Sequence, residues 1–186
     1  MYFGYEELAK VLGINNASAR VAASRYVKKG LLVRLKRNLY VLREVWDAAG
    51  WEEKYSLANL GQTPSYISLM TALEYYAITT QVQRGLIESI AVKRTKEISL
   101  NGSVFKYTKV GVGLYFGFKR EKGFFIAVPE KALLDAFYLI SYGRYALDIS
   151  ALDTEKLDSV TLERLSRKFP LKTQNMLKKY GYLKAA

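Results

Sequence analysis

YEELAKVLGINNASARVAASRYVKKGLLVRLKRNLYVL, residues 5–42, decides how the N-terminal quarter of the chain is read. Tyr5, Leu8, Ala9 and Leu12 recur at i, i+3, i+4 and i+7, which is one face of a short helix. Glu6 and Glu7 fall in its first turn, where the helix dipole favours acids. Gly13 closes it, because glycine accepts the left-handed conformation of a helix end. Ile14 plugs the turn, and Asn15 or Asn16 is placed to cap a second helix over roughly residues 17–29.

On that second helix Ala19, Ala22, Ala23, Tyr26 and Val27 cover one continuous arc at about 100° per residue. Small alanines there let two helices approach closely. Ser18, Arg20, Val21, Ser24, Arg25, Lys28 and Lys29 cover the other arc, without one acid. An ordinary solvated face mixes both signs; this one suits phosphates and base edges. Gly30 ends the helix. LLVRL (31–35) and NLYVL (38–42) then read as a hairpin with Lys36 and Arg37 at its tip and Arg34 beside them.

Helix, sharp turn, basic helix and basic hairpin follow the order of a winged helix-turn-helix. In that motif the second helix enters the major groove and the wing touches backbone or minor groove. The expected DNA-binding residues are Asn16, Ala17, Ser18, Arg20, Val21, Ser24, Arg25, Lys28 and Lys29 on the helix, with Arg34, Lys36 and Arg37 on the wing. Arg20, Ser24 and Asn16 are placed to approach bases; Arg25, Lys28, Lys29 and the wing cations neutralise phosphates. A winged helix often carries a further helix before these two. Only four residues precede Tyr5, so the candidate to supply it is Glu53–Leu60.

Composition points the same way. Lysine and arginine number 29 against 17 aspartates and glutamates, a net charge of +12. Residues 1–45 hold nine basic and three acidic side chains, half of that excess. Such a balance favours an anionic partner. The absence of cysteine and histidine excludes disulfides, thiol catalysis, His-dependent dyads and ordinary zinc sites. No apolar run reaches transmembrane length, and MYFGYEELAK lacks the pattern of a secretory signal. A cytoplasmic protein without membrane contact is expected. The 186 residues allow one domain, or a small one followed by a larger one, with the boundary expected near residue 61.

Beyond the hairpin, WDAAG (46–50) reads as a loop and residues 51–60 as a connecting helix closed by Gly61. Residues 65–77 (SYISLMTALEYYA) have the apolar spacing of an amphipathic helix, capped by Ser65 or Ser68. From 87 to 128 the period changes. IESIAV, ISL, VFKYTKV, GLYFGF and FFIAV predict four or five antiparallel strands, with hairpins at Asn101-Gly102 and near Glu121–Gly123. Pro129 opens a helix that buries Ala132, Leu133, Ala136, Phe137 and Ile140. Further helices follow, two of them separated by Pro170. The expected class is α+β: an N-terminal winged helix-turn-helix (residues 1–61), then a larger α+β domain with an antiparallel sheet (62–186).

Catalysis is not indicated. Glu130 and Asp135 lie five positions apart, about 140° around a helix, and do not converge. Glu52 and Lys54 have the spacing of a nuclease motif, but on the connecting helix. No GxGxxG or GxxxxGKS is present, so no nucleotide cradle is expected. Neither cofactor nor metal is expected. Lys93, Arg94 and Lys96 form a second basic run, read either as a solvated loop or as a second anion-binding or acidic-partner surface. The 15 tyrosines read as core and boundary residues or as an aromatic protein-binding face. Two alternatives to DNA stay open: a module whose basic surface meets an acidic protein, and an RNA binder using aromatics of the GLYFGF strand.

Four stretches carry a family likeness: ELAKVLG…ARVAASRYVKKGLLVRLKRNLYVL (7–42), PSYISLMTALEYYAIT (64–79), VKRT (92–95) followed after a hairpin by YFGF (115–118), and IAVPEKALLDAFYL (126–139). Together they resemble the AbiEi family of antitoxins and transcriptional regulators of abortive-infection toxin–antitoxin operons. That resemblance implies an N-terminal winged helix on the operon's own promoter, with the reader at residues 16–29 and the wing at 34–37. It also implies a C-terminal antitoxicity domain and a nucleotidyltransferase-like toxin acting on RNA as partner. Relatives that are stand-alone regulators lack the toxin half.

Overall fold

A computed structural model describes residues 2–184. The chain is α+β. Helix α1 (Tyr5–Leu12) ends at Gly13 in the left-handed conformation, and α2 (Asn16–Lys28) follows. Strands β2 (Leu32–Lys36) and β3 (Leu39–Leu42) form the expected hairpin. A short strand β1 (Tyr2–Phe3) joins it in a three-stranded antiparallel sheet of order β1-β3-β2.

The hairpin is buried on both faces, because its side chains alternate. Leu32 and Tyr40 pack on Ala23, Tyr26 and Val27 of α2. Val33, Leu35, Leu39 and Val41 point the other way, into a core shared with Tyr66, Phe105, Leu133 and Phe137. One apolar core therefore runs across residue 61. On α2 the buried contacts are narrower than expected: Ala19 and Ala23 are buried, while Ala22 is only half-buried.

Residues 46–50 are not all loop. α3 (Arg43–Ala48) buries Trp46, whose indole N–H donates to the Asn101 carbonyl at 3.0 Å while its ring tilts on Phe105. α4 (Trp51–Gly61) fulfils the connecting helix. It packs chiefly on β2 and the larger sheet and not on α1 and α2, because Tyr55, Leu57 and Ala58 belong to the main core. Gly61 is required where it stands: a Cβ there would collide with the Tyr107 hydroxyl, which donates to the Ala58 carbonyl at 2.7 Å.

The larger sheet comprises β4 (Ser65–Ile67), β5 (Leu86–Ala91), β6 (Lys96–Leu100), β7 (Ser103–Lys109), β8 (Phe118–Glu121) and β9 (Phe124–Ala127), in the order β6-β7-β5-β4-β9-β8. It is mixed, which corrects the antiparallel expectation. β5 runs parallel to β7, and β4 parallel to β9; the other pairs are antiparallel. The Asn101-Gly102 and Glu121–Gly123 turns join β6 to β7 and β8 to β9 as expected.

Two further readings are corrected. Residues 65–77 are not one helix: Ser65–Ile67 is a fully buried strand between β5 and β9, and only Leu69–Tyr75 is helical (α5). The break falls at Leu69, whose φ is +56°, a left-handed conformation. GLYFGF contributes only Phe118 to a strand; Val112–Leu114 is a 3₁₀ turn, and Tyr115 and Phe116 pack against the core. The remaining helices are α6 (Pro129–Ser141), α7 (Ser159–Ser166) and α8 (Leu171–Lys179). α6 lies among β9, α5, α7 and α8, and is buried along most of its length. Among the described residues no helix is long and apolar enough to cross a membrane.

Candidate nucleic-acid interface

Asn15 is the residue that caps α2. Its Oδ1 accepts from the Ser18 N–H at 2.9 Å, which directs the first turn outward. Asn16, Ala17, Ser18, Arg20, Val21, Ser24, Arg25, Lys28 and Lys29 are all exposed, as are Arg34, Lys36 and Arg37 on the hairpin. They divide among three neighbouring surfaces. Arg20, Ser24 and Lys28 of α2 line one cleft of about 360 Å³ with Arg34 and Arg37 of the hairpin. Ser18, Val21, Arg25 and Lys29 line a second, of about 540 Å³, on the adjoining flank of α2. Asn16 and Ala17 stand at the helix start and line neither.

The third surface joins parts of the chain that the sequence keeps apart. Lys36 and Arg37 line a groove of about 440 Å³ together with Lys93, Arg94 and Lys96. Arg37 belongs to this groove and to the α2–hairpin cleft, so the basic surface is continuous from one to the other. Local hydrogen bonds hold the groove in place. The Lys36 ammonium donates to the Leu60 carbonyl at 2.6 Å, Lys96 to the Gly61 carbonyl at 3.1 Å, and the Gln62 amide to the Arg94 carbonyl at 2.7 Å.

Among the described residues none of the cations on these surfaces makes a salt bridge, although the charge of Arg20 reaches the Glu6 carboxyl. Glu6 and Glu7, at the start of α1, are turned to structural work. Glu7 accepts from the Gly4 N–H at 2.9 Å and Glu6 from the Asn38 amide at 2.8 Å, and the Asn38 bond holds the Glu6 carboxyl below the usual range. Burial lowers the Lys96 ammonium, and repulsion from Arg94 and Lys36 lowers it further. Crowded like charges of this kind are relieved by an anion.

Sequence reasoning missed two supporting residues. Asn38 takes the left-handed turn position at φ +58°, and its side chain accepts from the Tyr5 N–H at 2.6 Å, pinning the hairpin turn to the start of α1. The signal was available, since asparagine tolerates that conformation and bonds nearby backbone. Tyr5 carries Arg20: the guanidinium lies 4.3 Å from the ring centroid and donates to the phenol oxygen at 2.7 Å.

A second missed cluster lies in the core. Lys131 and Asp135, one turn apart on α6, form an ion pair with no exposed surface. Lys131 donates to the Tyr66 hydroxyl at 2.8 Å, and the Tyr66 and Ser68 hydroxyls donate to Asp135 at 3.0 and 2.8 Å. Burial raises the Asp135 carboxyl and lowers the Lys131 ammonium. An i, i+4 acid–base pair is visible in sequence, but not its burial. Glu130 is turned elsewhere, accepting from the Asp158 N–H at 2.9 Å. Among the described residues no three acidic side chains converge as a metal site needs.

Compared with known proteins, the chain matches no family model and has no significant match among curated proteins.

Proposed function

We propose that the chain is a sequence-specific double-stranded-DNA-binding regulator that uses α2 and the β2–β3 hairpin as a winged helix-turn-helix. The observation that carries this reading is the unbroken basic surface running from Arg20 and Lys28, through Arg34 and Arg37, to Lys93, Arg94 and Lys96, without a compensating ion pair among the described residues. Arg20 and Ser24 face base edges, and the remaining cations bind phosphates on either side. The Lys93–Lys96 run, open in sequence between solvated loop and anion site, takes the second role because it adjoins the wing tip. The resemblance to the AbiEi family supports autorepression of the chain's own operon, with the residues after 61 serving antitoxicity toward a nucleotidyltransferase-like toxin. No catalytic role is assigned. The RNA alternative has less support than DNA, since of the GLYFGF aromatics only Phe118 stands on a strand, while Tyr115 and Phe116 pack against the core.

The test is a titration of the full chain on DNA from just upstream of its own coding sequence, against a shuffled duplex, at two salt concentrations. Preference for the upstream DNA that persists at the higher salt is expected. Equal and salt-sensitive binding to both would retire the operator reading.

A further inference from the structure

A groove of about 370 Å³ lies at the base of the hairpin, where Phe3, Leu8, Tyr26 and Leu32 meet the exposed side chains of Leu31 and Leu42. Leu31 is 54% exposed and Leu42 50%. The groove shares no residue with the α2–hairpin cleft. On α2, Tyr26 lies about 160° around the helix from Ser24, away from the α2–hairpin cleft, and it borders the flank that carries Arg25 and Lys29.

Charge decides what covers it. In a chain of net charge +12, two copies meeting on their basic surfaces would set like charges against each other. This groove has a neutral balance, with one cation, Arg43, and one anion, Glu44, on its rim. A two-fold interface places the same patch on both sides, so a residue and its neighbour are contacted reciprocally. Adjacent residues of opposite sign suit that operation: Arg43 meets the partner's Glu44, and Glu44 meets the partner's Arg43. Arg43 already holds Asp47 at 2.6 Å, but that pair is solvent-exposed and leaves the guanidinium's other donors open.

We infer that this groove is a self-association surface through which two copies of the chain pair about a two-fold axis, Leu31 and Leu42 of each entering the groove of the other. The inference does not depend on the DNA reading, because the pairing forms without DNA.

The experiment is sedimentation velocity of the full chain without DNA, over a hundredfold range of concentration. The weight-average mass should rise toward twice that of the monomer. Leu42→Glu should leave a monomer throughout, with an unchanged circular dichroism spectrum because Leu42 is half exposed. Arg43→Glu should weaken the dimer, and Arg43→Glu combined with Glu44→Arg should restore it. A monomer at every concentration would overturn the inference and leave the groove to another protein. A dimer indifferent to Leu42→Glu, or one that the double exchange does not restore, would overturn it as well.

Discussion

Lys36 reaches across from the hairpin tip to the carbonyl of Leu60, 2.6 Å away, in the last turn of α4. Lys96 takes the next carbonyl, that of Gly61, at 3.1 Å. Two cations from distant parts of the chain are thus held on the electronegative end of one helix. This end of α4 offsets part of their mutual repulsion and fixes the wing tip beside the second basic run.

If that shared groove binds phosphates, both its halves contribute to the salt dependence of DNA binding. Each neutralised phosphate adds about −0.9 to the slope of log K against log salt. Lys36→Ala with Arg37→Ala should weaken binding to every duplex and lower the slope by roughly 2, if each residue neutralises one phosphate. Lys93→Ala with Arg94→Ala should do the same by a similar amount. Fluorescence anisotropy at several salt concentrations reads both. An unchanged slope in either variant removes that half from the interface.

Arg20 behaves differently because Tyr5 orients it. Arg20→Ala should relax sequence preference by roughly 1–3 kcal/mol if its base contact is bidentate. Arg20→Lys should recover little of this, since lysine lacks the planar fork. Tyr5→Ala, which removes the ring beneath the guanidinium, should move specificity in the same direction by less. The comparison is between upstream and shuffled duplexes. Equal losses on both would reduce Arg20 to a phosphate contact.

The N-terminal elements were legible because their signals are local: period, cap, Gly13 and the one-signed face of α2 all lie within a few residues. The readings that failed concern long-range burial. Tyr66 and Ile67 fit a helical face as well as a strand, and their position between β5 and β9 turns on pairings made far along the chain. The parallel pairs β5–β7 and β4–β9 leave no trace in local turn chemistry. The basic residues were legible one by one, whereas the meeting of Arg37 with Arg94 depends on how α4 carries the chain back past the hairpin.

The Lys131–Asp135 pair gives a stability prediction. Asp135→Asn leaves a buried ammonium without its counter-ion and should cost about 3–5 kcal/mol. Replacing the whole cluster with apolar groups (Lys131→Met, Asp135→Leu, Tyr66→Phe and Ser68→Ala together) should cost far less, because no buried polar group is then orphaned. Urea unfolding of the two variants makes the comparison. A single replacement no worse than the quadruple one would show that the pair is not sealed.

Glu88 sets a pH dependence of predictable sign. It is 1% exposed on β5 and accepts from the Tyr145 hydroxyl at 2.6 Å, with the Lys106 ammonium at 3.8 Å. Burial raises its carboxyl above the ordinary value of 4.5, and these partners only partly oppose the rise. The folded chain therefore keeps a proton that the unfolded chain has released. The stabilisation this confers is complete below 4.5 and is lost as pH rises through the folded value. Over that window the contribution falls by at most about 1.4 kcal/mol per pH unit, the limit for one proton. Glu88→Gln cannot titrate and should remove this slope, gaining on the wild type as pH climbs from acid toward neutral. Parallel stability–pH curves for the two proteins would show that the carboxylate is satisfied when charged, with Tyr145 and Lys106 outweighing its burial.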